Sequence, residues 1–214
     1  MDLRDLAAEF QRRFDEKMAA REIALSSSRK AIRASANSIR AIHRAEWDEA
    51  HRLQDEARVA LDTAREAVES QPDVLHAGFV QDAQKEYAES RLTEAVVTGK
   101  ELPGPDELRV TLPAYLNGMA EAIGEARRSI LDLLRTGEVG RSEDILRMME
   151  DMYYLLVSMD YPDAVTGNLR RSTDVARGIM ERTRGDLSVS IVQAGLRDAL
   201  ERHTEGLRRD SGDG

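Results

Sequence analysis

Apolar residues recur at helical spacing along nearly the whole chain, and only five prolines stand in its 214 residues. A chain patterned at this 3.6-residue period buries its apolar stripes by packing helix against helix. Aromatics make up 4% of residues, so the core must be built from Leu, Ile, Val, Met and Ala. Charged residues reach 33%, a composition that favours helix over sheet. The reading is an all-α, single-domain bundle of about six or seven long helices, over residues 1–207, with a disordered polar tail at 208–214.

The pattern places a first helix from Leu3 to Arg44, with Leu25, Ile32, Ile39 and Ile42 on its apolar side. A second covers Glu46 to Glu69, and its acidic first turn suits a helix N-terminus. SQPD breaks the chain at 70–73, and a third helix runs from Val74 to Val97. The cluster GKELPGPDE, with Pro103 and Pro105, is the clearest loop. A fourth helix spans Leu112 to Arg135, with Leu112, Met119, Ile123, Ile130 and Leu134 on one stripe and Gly137 and Gly140 marking its end. A fifth, Ser142 to Ser158, has Ser142 as its expected cap. After the turn MDYPDA a last helix, Ala164 to Leu207, is expected to break near Gly185. Helices this long imply a partner that covers what one copy leaves exposed.

Several chemistries are excluded. Without cysteine there is no disulfide framework and no thiolate zinc site. The four histidines, His43, His51, His76 and His203, form no close-spaced ligand pattern, and no Gly-rich phosphate loop or GxSxG is present. No stretch approaches the roughly 18 uncharged apolar residues of a membrane span. The N-terminus MDLRDLAAEF carries charges where a signal peptide needs an apolar run, so a cytoplasmic location is expected. The net charge of −9 restricts nucleic-acid binding to a local positive patch. Lysine occurs only at Lys17, Lys30, Lys85 and Lys100; an acidic, lysine-poor chain fits a high-salt cytoplasm and GC-rich coding equally.

Carboxylates are the reactive groups that remain. Glu86 and Glu89 lie three apart on the third helix, and Glu121 and Glu125 four apart on the fourth, so each pair shares a helix side. If the two helices pack together, four oxygen ligands can hold Mg²⁺ or Mn²⁺ and activate a water against a phosphodiester. Glu86 falls within the apolar arc of Leu75, Phe79 and Ala83, a costly place for a carboxylate unless it is paired, protonated or metal-bound. A second reading has it at the stripe's edge, reaching out to water. Gly118 and Ala122, a turn apart, allow a neighbouring helix to come close to Glu121 and Glu125. Against a metal role, Glu125 can also pair with Arg127 or Arg128 as an ordinary surface acid.

Between Ile23 and Ala45 no acidic residue occurs. Within that window Lys30, Arg33, Asn37, Arg40 and Arg44 fall in an arc of about 80°, opposite the apolar side, with Arg29 just outside and His43 nearby. This ridge, about 20 Å long at about 1.5 Å per residue, suits a run of phosphates read without regard to sequence. Alternatively it is a solvated ridge paired with acids of another helix or subunit.

At these residues the sequence resembles the translin family, in particular its translin-associated factor X branch. YLNGMAEAIGEARR (115–128) is similar to that branch's YLxGVADLTGELMR, and KEYAES (85–90) to its QEYVEA. A third stretch, MDYPDAVTGNLRRSTDVARGIMERTRGDL, resembles the family's segment before its final helix. The resemblance implies an all-α fold of about seven helices assembled as a hollow octamer that encloses RNA. For the factor X branch it also implies a metal-dependent endoribonuclease using acids that face the cavity. Glu86, Glu89, Glu121 and Glu125 fall on those acidic positions. Translin itself has an apolar residue where Glu121 stands, and the factor X motif has an Asp there, shorter by one methylene.

The expected function is therefore a divalent-metal-dependent endoribonuclease acting on single-stranded or loosely structured RNA inside a hollow homo-oligomer. Glu86, Glu89, Glu121 and Glu125 would hold Mg²⁺ or Mn²⁺, and Arg29, Lys30, Arg33, Arg40, His43 and Arg44 would hold the strand. The alternatives are a translin-like protein that binds RNA or single-stranded DNA without cutting it, and a purely structural helical scaffold.

Overall fold

The computed structural model describes residues 2–75 and 77–210 and is all-α. Six long helices carry the fold: α1 (Leu3–His43), α2 (Trp47–Ala67), α4 (Gly78–Thr98), α6 (Leu112–Thr136), α7 (Val139–Val157) and α9 (Leu169–Asp210). Single turns α3 (Pro72–Leu75), α5 (Pro105–Leu108) and α8 (Asp163–Thr166) punctuate the connections. Among the described residues no helix is long and apolar enough to cross a membrane.

Helices α1 and α2 form an antiparallel hairpin through Ala45, whose φ of 55° turns the chain. Their seam is rich in small buried residues, Ala31 and Ala34 on α1 and Ala57 and Ala60 on α2, which lets the two axes approach closely. A buried polar layer joins this hairpin to α4. Ser38 Oγ shares a hydrogen bond with Ser90 Oγ, and the Gln54 amide donates to Ser90 at 3.3 Å. Glu94 is buried near the end of α4, where His51 Nε2 at 3.0 Å and Lys100 Nζ at 3.3 Å satisfy it. The main core lies inside α4, α6 and α7, around Leu92, Met119, Ile123, Ile130, Met149 and Leu156.

Several boundaries differ from the expected ones. The third helix starts at Gly78 and not at Val74, because Pro72 opens a separate single turn and Ala77 is extended. Gly137, at φ 83°, ends α6 as expected, but α7 begins directly at Val139 and takes Gly140 inside it. Ser142 is therefore not a cap: it is buried one turn in, its hydroxyl donating to the Glu138 carbonyl at 3.0 Å. Helix α9 passes through Gly185 unbroken, since one interior glycine costs only about 1 kcal/mol and Arg127 pairs with Asp186 at 2.8 Å beside it. Its true start is Leu169, after left-handed Gly167 and Asn168. Leu112, expected on the α6 stripe, stands exposed at the helix's first residue. The backbone of α9 continues through Asp210, and residues 211–214 of the expected tail lie outside the described residues.

Because α1 has 41 residues and α2 only 21, the first half of α1 extends past its partner. Leu3, Phe10, Phe14 and Met18 are exposed there. The far half of α9 likewise exposes Val189, Val192, Leu196 and Leu200.

Candidate metal centre

The site is set by how closely α6 lies on α4. At the start of α6 the Thr111 N–H donates to Gln84 Oε1 at 2.9 Å, and the Thr111 hydroxyl donates to Gln81 Oε1 at 2.6 Å. About two turns further on, Gly118 touches the α4 backbone. A Cβ at that position would stand 2.7 Å from the Lys85 carbonyl oxygen and 3.0 Å from the Glu89 nitrogen. Asn117 fixes the rotation of α6, its amide donating to the Pro113 and Thr166 carbonyls at 2.9 Å each and its oxygen accepting from Ser172 at 2.7 Å. The next turn then delivers Glu121 to α4.

Glu86, Glu89 and Glu121 each present a carboxylate oxygen within 4.8 Å of the others. Glu89 is the innermost, 9% exposed, and no hydrogen bond or ion pair reaches its carboxylate among the described residues. Burial, then the charges of Glu121, Glu86 and Glu125, push its pKa up to about 8. Glu86 is also raised, by burial first. Lys85 supplies positive charge, its Nζ 2.7 Å from Glu121 and 3.5 Å from Glu86. Three acids thus share one ammonium. That imbalance, with hard oxygen donors at this spacing and one donor left unpaired, fits a divalent ion such as Mg²⁺ or Mn²⁺.

The structure separates the fourth acid from this trio. Glu125 accepts from His43 Nε2 at 2.5 Å, and this bond holds its carboxyl below the usual range against the opposing effect of burial. Ser129 Oγ stands 3.4 Å from the other ring nitrogen of His43. Glu125 therefore borders the cluster with a partner of its own.

Lys30, Arg33 and Arg40 line the exposed side of α1 as expected, with Arg29 beside them. Among the described residues Arg29, Arg33 and Arg40 have no carboxylate within ion-pair distance, whereas Lys30 lies 3.6 Å from Glu56 and Arg44 lies 2.6 Å from Glu46. His43 does not join the ridge. Its side chain is 3% exposed and turns inward to Glu125, because the end of α1 and the middle of α6 lie against the same helix, α4. Lys85 was not among the expected site residues. Its signal was the lysine that opens KEYAES, where the similar factor X motif has glutamine.

No family model matches the chain. Over 193 residues it is 30% identical to the uncharacterized protein MJ0175 of Methanocaldococcus jannaschii, covering 89% of this chain and 85% of that protein. Among solved structures it is similar to AfC3PO, with a TM-score of 0.81 and 33% identity over 87% of this chain and 97% of that one. The complex of AfC3PO with duplex RNA gives a TM-score of 0.78 over the same shares at the same identity. Apo-NeC3PO shares the fold, at a TM-score of 0.75 and 20% identity over 88% of this chain and 97% of that one. The resemblance read from KEYAES and YLNGMAEAIGEARR is borne out at this level, and the chain belongs to the translin family.

Proposed function

We propose that this protein is a divalent-metal-dependent endoribonuclease of the factor X type, acting on single-stranded or loosely structured RNA. The observation that carries this reading is the trio Glu86, Glu89 and Glu121, with Glu89 buried and unpaired. These three carboxylates would hold Mg²⁺ or Mn²⁺, with Glu125 at the border. The bound ion would supply Lewis acidity at the scissile phosphate and lower the pKa of a water there. Glu89 orients its carboxylate from the floor, and Gly118 and Asn117 keep Glu121 opposite it. His43 holds Glu125 in one direction through its ring N–H.

Strand binding would fall to Arg29, Arg33 and Arg40, which among the described residues have no carboxylate partner, Arg40 donating only to the neutral Asn37 Oδ1 at 2.8 Å. A relative has been solved with duplex RNA, which supports a nucleic-acid ligand for this chain. The exposed apolar residues on the overhangs of α1 and α9 fit contacts between copies, as a hollow homo-octamer would need.

A second reading, a binding protein that does not cut, is favoured by one contact. Lys85 already neutralises Glu121, as a fixed counter-ion would. Incubating the purified protein with end-labelled single-stranded RNA in Mg²⁺ or in EDTA separates the two. Fragments that form in Mg²⁺ and vanish in EDTA or on Glu121→Ala support the nuclease. Retention of intact RNA under both conditions supports the binder.

A further inference from the structure

Lys85 has one feature that a fixed counter-ion does not need. Beside its contact with Glu121 lies a cavity of about 590 Å³ between α4, α6 and the turn α8, and Lys85 and Glu121 stand in its wall together. Gln81, Thr111 and Asn117 also line it, and Ala164 and Val165 give it an apolar side. The lysine stem is half-buried, and from its position on α4 the ammonium faces the Glu121 carboxylate at 2.7 Å, the Glu86 carboxylate at 3.5 Å and the cavity. The two carboxylate contacts compete with a metal ion, and the cavity does not. An ammonium is a compact cation on a flexible stem, able to leave one carboxylate for another anion without moving the backbone.

We infer that Lys85 is a displaceable internal cation. It occupies Glu121 while the site is metal-free, gives Glu121 up when a divalent ion binds, and turns into the adjoining cavity to hold a phosphate of the RNA strand. This inference rests on the metal-site reading above and adds a switch to it. The strand's phosphate contact at this point becomes available only in the metal-loaded state. RNA and metal then bind with mutual support, each gaining from the other by the same factor.

The charge pattern agrees. Asp82 also lines the cavity, so one cation there leaves no large positive excess to trap an anion before the metal arrives. The rest of the wall includes the Gln81 amide and the Thr111 and Ser172 hydroxyls, neutral groups beside which sugar or phosphate oxygens can lie.

The test uses Mn²⁺ as the probe and the full-length protein. Mn²⁺ binding is measured by electron paramagnetic resonance for the natural protein, Lys85→Met and Lys85→Gln, with folding checked by circular dichroism. Removing the competing ammonium should tighten Mn²⁺ by at least about threefold in both variants. Equal or weaker binding in the variants, with Mn²⁺ bound by the natural protein, overturns the inference and leaves the metal site standing. Failure of all three proteins to bind Mn²⁺ overturns the inference and the metal site together. A second readout needs no variant. With only four lysines in the chain, acetylation can be followed at each by mass spectrometry, and Lys85 should become more reactive on adding Mg²⁺ while Lys17 and Lys100 do not. Unchanged reactivity at Lys85 in saturating Mg²⁺ also counts against displacement. With Ca²⁺ replacing Mg²⁺ to suppress cleavage, Lys85→Met should lower RNA affinity, and in EDTA it should not.

Discussion

Gly118 of α6 rests against Lys85 of α4 so closely that a Cβ would stand 2.7 Å from the Lys85 carbonyl oxygen. The obstacle is backbone inside a helix, which cannot turn aside as a side chain can. Gly118→Ala should therefore push the two helices apart, costing about 1–3 kcal/mol of stability. Glu121 moves away with α6, so Mn²⁺ affinity should fall by more than the loss of stability alone explains. Urea unfolding and a Mn²⁺ titration of the same preparation check both. Gly124 is the control: a Cβ there meets only Ile179 Cδ1 at 3.7 Å, and Gly124→Ala should be tolerated.

Glu89 predicts a pH dependence of the metal-free protein. Its folded pKa, about 8, lies above the ordinary carboxylate value, so the folded state keeps a proton that the unfolded chain gives up. The stabilising contribution is complete below the unfolded pKa and is lost as pH rises through about 8. Metal-free protein should thus lose stability between about pH 5 and pH 8, and Glu89→Gln should remove that slope. Urea midpoints across this range, in EDTA, measure it. Adding Mg²⁺ to the natural protein should flatten the same slope, since the bound ion favours the ionised carboxylate.

Glu125 has the opposite sign. His43 lowers its pKa, so its contribution is present above the unfolded value and fades as pH falls through the folded one. His43→Ala should remove this acid-side contribution and cost about 1–3 kcal/mol near neutral pH, because it leaves a partly buried carboxylate without its donor. Thermal unfolding of His43→Ala and His43→Gln at pH 4 and pH 7 tests this, the glutamine variant keeping part of the loss at bay.

Arg33 and Arg40 project from α1 with no carboxylate partner among the described residues. Replacing both by Ala should weaken RNA binding and reduce the slope of log affinity against log salt by about one to two. Mn²⁺ affinity should stay as it was. Fluorescence anisotropy at several salt concentrations gives the slope.

Much of this was legible in the sequence, for physical reasons. Stripe periodicity located all six long helices, and Gly118 with Ala122 marked where two of them meet. Ala122 and Ala126 are fully buried on that face. Boundaries depended on contacts that periodicity does not carry. Gly140 and Ser142 look like a stop and a cap, but the left-handed Gly137 completes the turn before them. Gly185 looked like a break, yet its neighbours keep α9 regular. The acid pairs were visible as pairs, whereas their partition into a trio and a separate Glu125 was not. His43 lies 82 residues from Glu125, and only the packing of both α1 and α6 on α4 brings them to 2.5 Å. Lys85 was hidden by adjacency: next to Glu86 in the chain, it is committed to Glu121 only because α6 lies so near.

The most direct measurement is anomalous X-ray diffraction from crystals soaked in Mn²⁺. The account predicts a peak among the carboxylates of Glu86, Glu89 and Glu121, with Lys85 Nζ withdrawn from Glu121. Saturating Mn²⁺ that leaves no peak there, with Lys85 still bound to Glu121, would contradict it.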